Sequence, residues 1–293
     1  MQEKFKGIFT ELMTPFDENN KINENVLRAL VKHNVAMGVD GFIVCGSAAE
    51  AALLTIDERK QVMGIVKSAA PEKTLIAQIG LNSEDEAQKL AAYANTLCYD
   101  AISSALPRNY RFNFNENKGY YLRLAENSSI PVFADYFPTF SSIDMDDPKV
   151  VKFLSDDRIV GLSFTGAECV FIGTTKLRYP KKIVYNGFED FFLVGLLVGA
   201  DGGIGSSYNF MADKFVKIRT LVAERRIDEA KALQNEVERI IRILREIGEE
   251  RAKKEVLNQI GMNLGTRSKL SSPPTDEQKA RIAKEIVPYI YKG

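Results

Sequence analysis

Apolar residues along this chain fall into two alternating patterns. Short β-rich apolar runs occupy residues 7–13, 41–45, 74–79, 101–104, 132–135, 160–163, 182–185 and 202–205 and are predicted strands. Between them, residues 24–37, 57–69, 83–96, 114–127, 148–154 and 188–197 repeat apolar positions three and four apart and predict helices. Residues 167–177 carry a weaker version of the same pattern. Eight strands alternating with helices predict an α/β protein of the closed parallel (β/α)8, or TIM barrel, type. No Gly-rich dinucleotide fingerprint follows the first strand, which argues against an open doubly wound sheet.

Start signals sharpen two helices. Thr55-Ile56-Asp57-Glu58 is a capping-box pattern, and Asp147-Pro148 sets a capping carboxylate before a proline suited to a first helical turn. Beyond the last strand the pattern is helical at 210–224, at 227–247, in a third stretch from Glu249 and in a closing amphipathic segment at 276–291, after the break Ser271-Ser272-Pro273-Pro274. The expected organisation is a barrel over 1–224 with a helical extension, 225–293, packed on it.

Composition narrows the function classes. Lys+Arg and Asp+Glu both number 39, so no net field recruits nucleic acid or an anionic membrane. No apolar run approaches bilayer-spanning length, and MQEKFKGIFT lacks a signal-peptide core. Cys45, Cys98 and Cys169 show no metal spacing, so a reducing, cytoplasmic setting is expected. Cys45 is read as a small buried packing residue, since no histidine stands by to activate it. His33 is the only histidine and sits in an amphipathic helix, which makes a Ser-His-Asp triad or a histidine-rich metal site improbable. No metal and no cofactor is expected.

Several motifs in order carry a resemblance. They are Gly7-Ile8-Phe9-Thr10 with Thr14-Pro15-Phe16, Gly46-Ser47-Ala48-Ala49-Glu50 with Leu54-Thr55 and Glu58-Arg59, and Pro131-Val132 with Pro138. The most diagnostic pair is Tyr185-Asn186-Gly187-Phe188-Glu189-Asp190 with the run from Gly199 to Asn209. Together they resemble the N-acetylneuraminate lyase and dihydrodipicolinate synthase family of barrel aldolases, nearest its sialic acid lyase branch. The resemblance implies a homotetramer that binds a small sugar acid or 2-keto acid. It also implies an imine-forming lysine at the end of the sixth strand and a proton-shuttling tyrosine on the fifth. At those catalytic positions this chain has Ser163 and Asp135, with Tyr136 next in sequence. The implied carboxylate loop keeps Ser47 but has Ala48 and Ala49 where the family has Thr and Gly. The fourth-strand loop puts Asn109 at the position of the synthase branch's relay tyrosine. By the same resemblance Gly187, Glu189, Asp190 and Ser206 hold sugar hydroxyls, and Glu50 organises backbone N–H groups.

A serine hydroxyl cannot condense with a ketone to an imine. The charged side chains expected at the barrel mouth are Glu50, Arg108, Arg111, Asp135, Glu168, Glu189 and Asp190, with no lysine; Lys176, Lys181 and Lys182 fall toward the opposite rim. Three readings follow. The first, and the expected one, is a silent, regulatory or repurposed homologue that still binds a sugar acid or keto acid. The second is an enzyme on a polyol acid with Asp135 as general acid or base; against it stands a polar plug in which Asp135 only hydrogen-bonds Ser163 or Ser47. The third is the pyruvate-releasing aldehyde-lyase that overall family similarity assigns.

Overall fold

The computed structural model describes residues 2–80, 83–105, 114–136, 152–265 and 272–291, with residues 114, 115 and 136 described by their backbone alone. Its strands are β1 (Gly7–Glu11), β2 (Gly41–Val44), β3 (Thr74–Gln78), β4 (Ala101–Ser104), β5 (Val132–Tyr136), β6 (Ile159–Phe164), β7 (Ile183–Asn186) and β8 (Gly202–Gly205). Each pairs in parallel with its sequence neighbour and β8 pairs with β1, so the sheet closes into the barrel that the alternation predicts.

The described helices are α1 (Glu24–Ala36), α2 (Ile56–Ala69), α3 (Glu84–Thr96), α4 (Phe114–Glu126), α5 (Val170–Arg178), α6 (Phe192–Leu197), α7 (Tyr208–Ala223), α8 (Ile227–Ile247), α9 (Glu249–Gln259) and α10 (Asp276–Glu285). Residues 152–154 are helical too, whereas Asp147-Pro148 lies outside the described residues. The capping box before α2 forms as expected, with Thr55 and Glu58 each satisfying the other's backbone N–H. The stretch expected to be helical from 188 begins instead with a 3-10 turn, Glu189–Phe191. Among the described residues no helix is long and apolar enough to cross a membrane.

Strand alternation divides the side chains. Ile8, Phe42, Leu75, Ile102, Val132 and Leu162 join the outer core under the helices. Phe9, Ile43, Ile76, Phe133, Val160 and Tyr185 fill the barrel with Phe5 from the N-terminal turn. Phe133 stacks on Tyr185 at 5.3 Å and meets Phe5 edge-on at 5.3 Å, while the Tyr185 hydroxyl donates to the Phe5 carbonyl. Gly161 must be glycine here, because a Cβ would collide with the Ile183 carbonyl and the Phe133 ring. This apolar layer seals the lower barrel and leaves the next inward positions, at the C-terminal strand ends, to face the mouth.

At the other rim, Lys176 pairs with Asp201 at 2.7 Å, and Lys182 donates to the carbonyls of Asp156 (2.8 Å) and Ile159 (2.5 Å), ahead of or at the start of β8 and β6. Both lysines are therefore placed away from the mouth, as expected. Helix α8 packs on α7 and α9 on α8, which carries the start of α9 over the barrel mouth.

Replacing Phe133 with alanine removes the ring that joins Phe5 to Tyr185. The expected loss is about 3–5 kcal/mol of unfolding free energy in urea titrations; a loss below about 1 kcal/mol would show that this layer does not support the barrel.

Candidate functional site

A cavity of about 1060 Å3 opens at the C-terminal ends of the strands, where barrels of this type carry their chemistry. Its floor is polar. Ser163 on β6 stands in register with Asp135 on β5, and its Oγ donates to Asp135 Oδ1 at 2.6 Å. Gln78 on β3 donates from Nε2 to Asp135 Oδ2 at 3.3 Å, while its own Oε1 accepts the Gly80 N–H at 2.7 Å. Ser103 on β4 also faces the floor, 3% exposed, with a hydroxyl that has no partner among the described residues. Asp135 and Ser163, the two expected catalytic positions, thus meet. The expected bond between them is present, and both residues line the cavity. The side chain of Tyr136 lies outside the described residues, as do Arg108, Asn109, Arg111 and Pro138.

The loop after β2 is occupied from within. Glu11, the last residue of β1, accepts from Ser47 Oγ at 2.8 Å and from the Ala48 N–H at 3.2 Å through one carboxylate oxygen. Its carboxyl rests against Gly46, where a Cβ would collide with it. Ala48 is buried and contributes only this N–H. Glu50, expected to organise backbone N–H groups, sits in the left-handed region at φ 54° and ion-pairs with Lys254 of α9.

The far side of the cavity has Gly187, Glu189 and Ser206 in its wall. Glu189 is buried and accepts from the Ser207 N–H (2.8 Å) and Ser207 Oγ (2.6 Å). Burial raises its carboxyl above the usual range against the attraction of Lys253 and these two bonds. Asp190 turns away from the cavity onto Arg245 of α8, which it binds with both oxygens at 2.8 and 2.6 Å. It therefore braces a wall residue. Glu168 is exposed and lies outside the cavity wall.

One expectation is overturned: lysines do reach the mouth. Lys253 and Lys254, both on α9, line the cavity. Lys253 is 2% exposed and donates to Ser206 Oγ at 2.6 Å and Glu249 at 2.7 Å, with Glu250 at 3.6 Å. Burial disfavours its charge, but the attraction of Glu189, Glu250 and Glu249 outweighs burial and raises its pKa. An ammonium held by these acceptors has no free electron pair to attack a carbonyl, so its arrival does not restore imine chemistry. Glu249 is held below the usual carboxylate range: burial pushes it up, and Lys253 and Arg245 more than reverse this.

Glu11, Gln78, Ser103, Lys253 and Lys254 are the residues that reading by sequence position missed. For the first three the signal was present, since they hold the same inward parity and strand-end position as Asp135 and Ser163. Cys45 is buried and its thiol is pushed up to about 11, mainly by burial, which supports its reading as a packing residue.

Two outcomes test this electrostatic picture. Lys253→Met is expected to cost about 2 kcal/mol at neutral pH, near the low end for a buried pair because Glu249 and Glu250 keep solvent access. Because the raised lysine pKa favours the folded state, that difference should persist up to about pH 10.4 and fade as pH rises through the higher native value; a difference already lost near pH 8 would contradict the ammonium assignment. Under native conditions an alkylating reagent should label exposed Cys98 and spare Cys45, with peptide mass mapping as the readout.

Comparison with known proteins bears on this geometry. The N-acetylneuraminate lyase of Rhizobium meliloti (strain 1021) is 34% identical over 288 residues, covering 98% of this chain and 96% of that protein. The crystal structure of CdNal from Clostridium difficile in complex with mannosamine superposes with a TM-score of 0.92 at 32% identity, covering 98% of this chain and 99% of the other. N-acetylneuraminate lyase from Fusobacterium nucleatum gives a TM-score of 0.93 at 28% identity, covering 98% and 100%. A profile of the dihydrodipicolinate synthetase family matches residues 4–288, nearly the whole barrel and its helical extension. With that match, the closed parallel barrel and a relative more than 30% identical over nearly its full length, the chain belongs to the dihydrodipicolinate synthetase family.

Proposed function

We propose that this protein is a carbon–carbon lyase of the aldolase-barrel type that acts on a small sugar-derived hydroxy-carbonyl compound by acid–base catalysis, without an imine. Near-full-length similarity to N-acetylneuraminate lyases supports the lyase reading over the silent homologue expected from the altered residues. The observation that carries the mechanism is the Ser163–Asp135 hydrogen bond at 2.6 Å on the cavity floor.

The proton inventory is simple. Asp135 as a carboxylate takes the proton of the ligand hydroxyl that lies β to its carbonyl. The carbon–carbon bond then breaks, an aldehyde leaves, and the electron pair moves onto the carbonyl oxygen as an enolate. Once Asp135 is protonated, the Ser163 O–H no longer has an anionic acceptor and turns its donor to the enolate oxygen, with Ser103 as a second hydroxyl within the same floor. Asp135 returns the proton to carbon, and the ketone product leaves. Gly187, Glu189 and Ser206 would line the hydroxyl-bearing end. Without the electron sink of an imine, such a site is expected to turn over more slowly than a lysine enzyme.

A second reading, a binding homologue without turnover, is favoured by one observation only: Glu11 already holds the donors of the Ser47 loop.

Three measurements separate the readings. Borohydride with pyruvate should trap no adduct by mass spectrometry. Product formation from sialic acid and related hydroxy-ketones should fall roughly 10²–10⁴-fold in Asp135→Asn and about 10²-fold or more in Ser163→Ala. Thermal stabilisation by a ligand with no product from any of them selects the binding homologue, and a trapped lysine adduct removes the acid–base mechanism.

A further inference from the structure

The charge arrangement of the mouth bears on what it accepts. Ser47 Oγ–H and the Ala48 N–H converge beside Gly46 and form an anion-binding nest. That nest is filled by the chain's own carboxylate, from Glu11. The cations of the cavity wall are engaged as well. Arg245 holds Asp190 and Glu249, Lys253 holds Glu249 and Glu250, Lys254 holds Glu50, and Arg251 donates to the carbonyls of Ile247 and Ser272. Among the described residues, carboxyl groups outnumber cations in the wall. An incoming carboxylate at this end would meet Glu11 at close range, and among the described residues the ammonium groups of the wall are already paired with carboxylates. A hydroxyl or carbonyl oxygen meets the reverse situation, because the buried Ser103 hydroxyl has no partner among the described residues and lies in the floor of the same cavity. A buried polar group left unpaired costs free energy that a ligand's hydroxyl or carbonyl relieves.

We infer that Glu11 is a specificity-determining residue that replaces a ligand's carboxylate with an internal one, so that the site takes a polyhydroxylated carbonyl compound uncharged at its Ser47 end. This rests on the reading of the mouth as a ligand site for hydroxy-carbonyl compounds and narrows its substrate class from sugar acids and keto acids to neutral ketose-like molecules. Asp135 is engaged elsewhere on the floor, by Ser163 and Gln78 within one polar layer.

Ligand-observed NMR titration with a matched pair of small ketones tests it. Pyruvate carries the carboxylate, and dihydroxyacetone is a neutral hydroxy-ketone of similar size. The wild-type protein is expected to bind dihydroxyacetone in preference to pyruvate. In Glu11→Ala, pyruvate affinity should rise at least tenfold, and the gain should disappear in the Glu11→Ala, Ser47→Ala double variant, which lacks one nest donor. Glu11→Ser, which keeps a polar side chain at the strand end, serves if the alanine variant does not fold. Pyruvate bound by wild type as tightly as dihydroxyacetone, or no gain in pyruvate affinity in either variant, overturns the inference. Both readouts are binding to unreacted protein. Failure of the acid–base mechanism would instead appear as turnover indifferent to Asp135→Asn, with the preference for dihydroxyacetone over pyruvate unchanged.

Discussion

Closure of the sheet is the constraint from which the rest of the molecule follows. Once β8 pairs with β1, every second side chain of every strand must point at a common axis, and the inward residues stack in layers. Phe9, Phe133 and Tyr185 make the lower layer dry and densely packed. Next along the same strands come Glu11, Asp135 and, from other strands, Gln78, Ser103 and Ser163. These residues are far apart in sequence and share one cavity because their parity and their distance along the strand agree. The bond between Ser163 and Asp135 is a direct product of strand register, in which the two residues lie side by side.

Charge at the mouth is balanced from outside the barrel proper. Helix α9 follows α8 after Gly248, whose φ of 114° permits the sharp change of direction. That turn delivers Glu249, Glu250, Lys253 and Lys254 to the cavity wall together. Lys253 then ties Ser206 at the end of β8 to the helical extension, and Lys254 ties Glu50 at the end of β2 to it. The extension therefore takes part in the site: its ammonium groups compensate carboxyl groups that the barrel alone would leave buried. For the same reason the Lys253 amine remains charged and serves as a counter-ion rather than a nucleophile.

Family membership and local chemistry pull in different directions in this protein, and the geometry reconciles them. The barrel, the hydroxyl-lined far wall and the strand-end location of the cavity are those of an aldolase barrel. On the floor, Ser163 and Asp135 form a hydroxyl–carboxylate pair, and the Glu11 carboxylate fills a nest of N–H and O–H donors. In the mechanism we propose, proton transfer and hydrogen-bond donation are the means of action, each available to side chains already in contact.

Much of this was legible along the chain. Alternating periods of two and about 3.6 identify strands and helices because each element has one face to bury, and the order of elements then selects the barrel. Strand ends moved by only a residue or two, and Thr55 and Glu58 announced their helix start through local hydrogen bonding. Ser163 and Asp135 stood out through the resemblance of the surrounding motifs to the family, while the strand pattern placed both at inward-facing strand ends. Asp190, Lys253 and Lys254 were not: which partner a charged side chain finds depends on elements that meet only after folding, and Arg245 lies on a helix 55 residues away from Asp190. Glu11 shows the division most plainly. Its place at the end of an inward-facing strand position is a matter of sequence, whereas its capture by Ser47 and Ala48, 36 and 37 residues on, exists only because β1 and β2 lie side by side in the closed sheet.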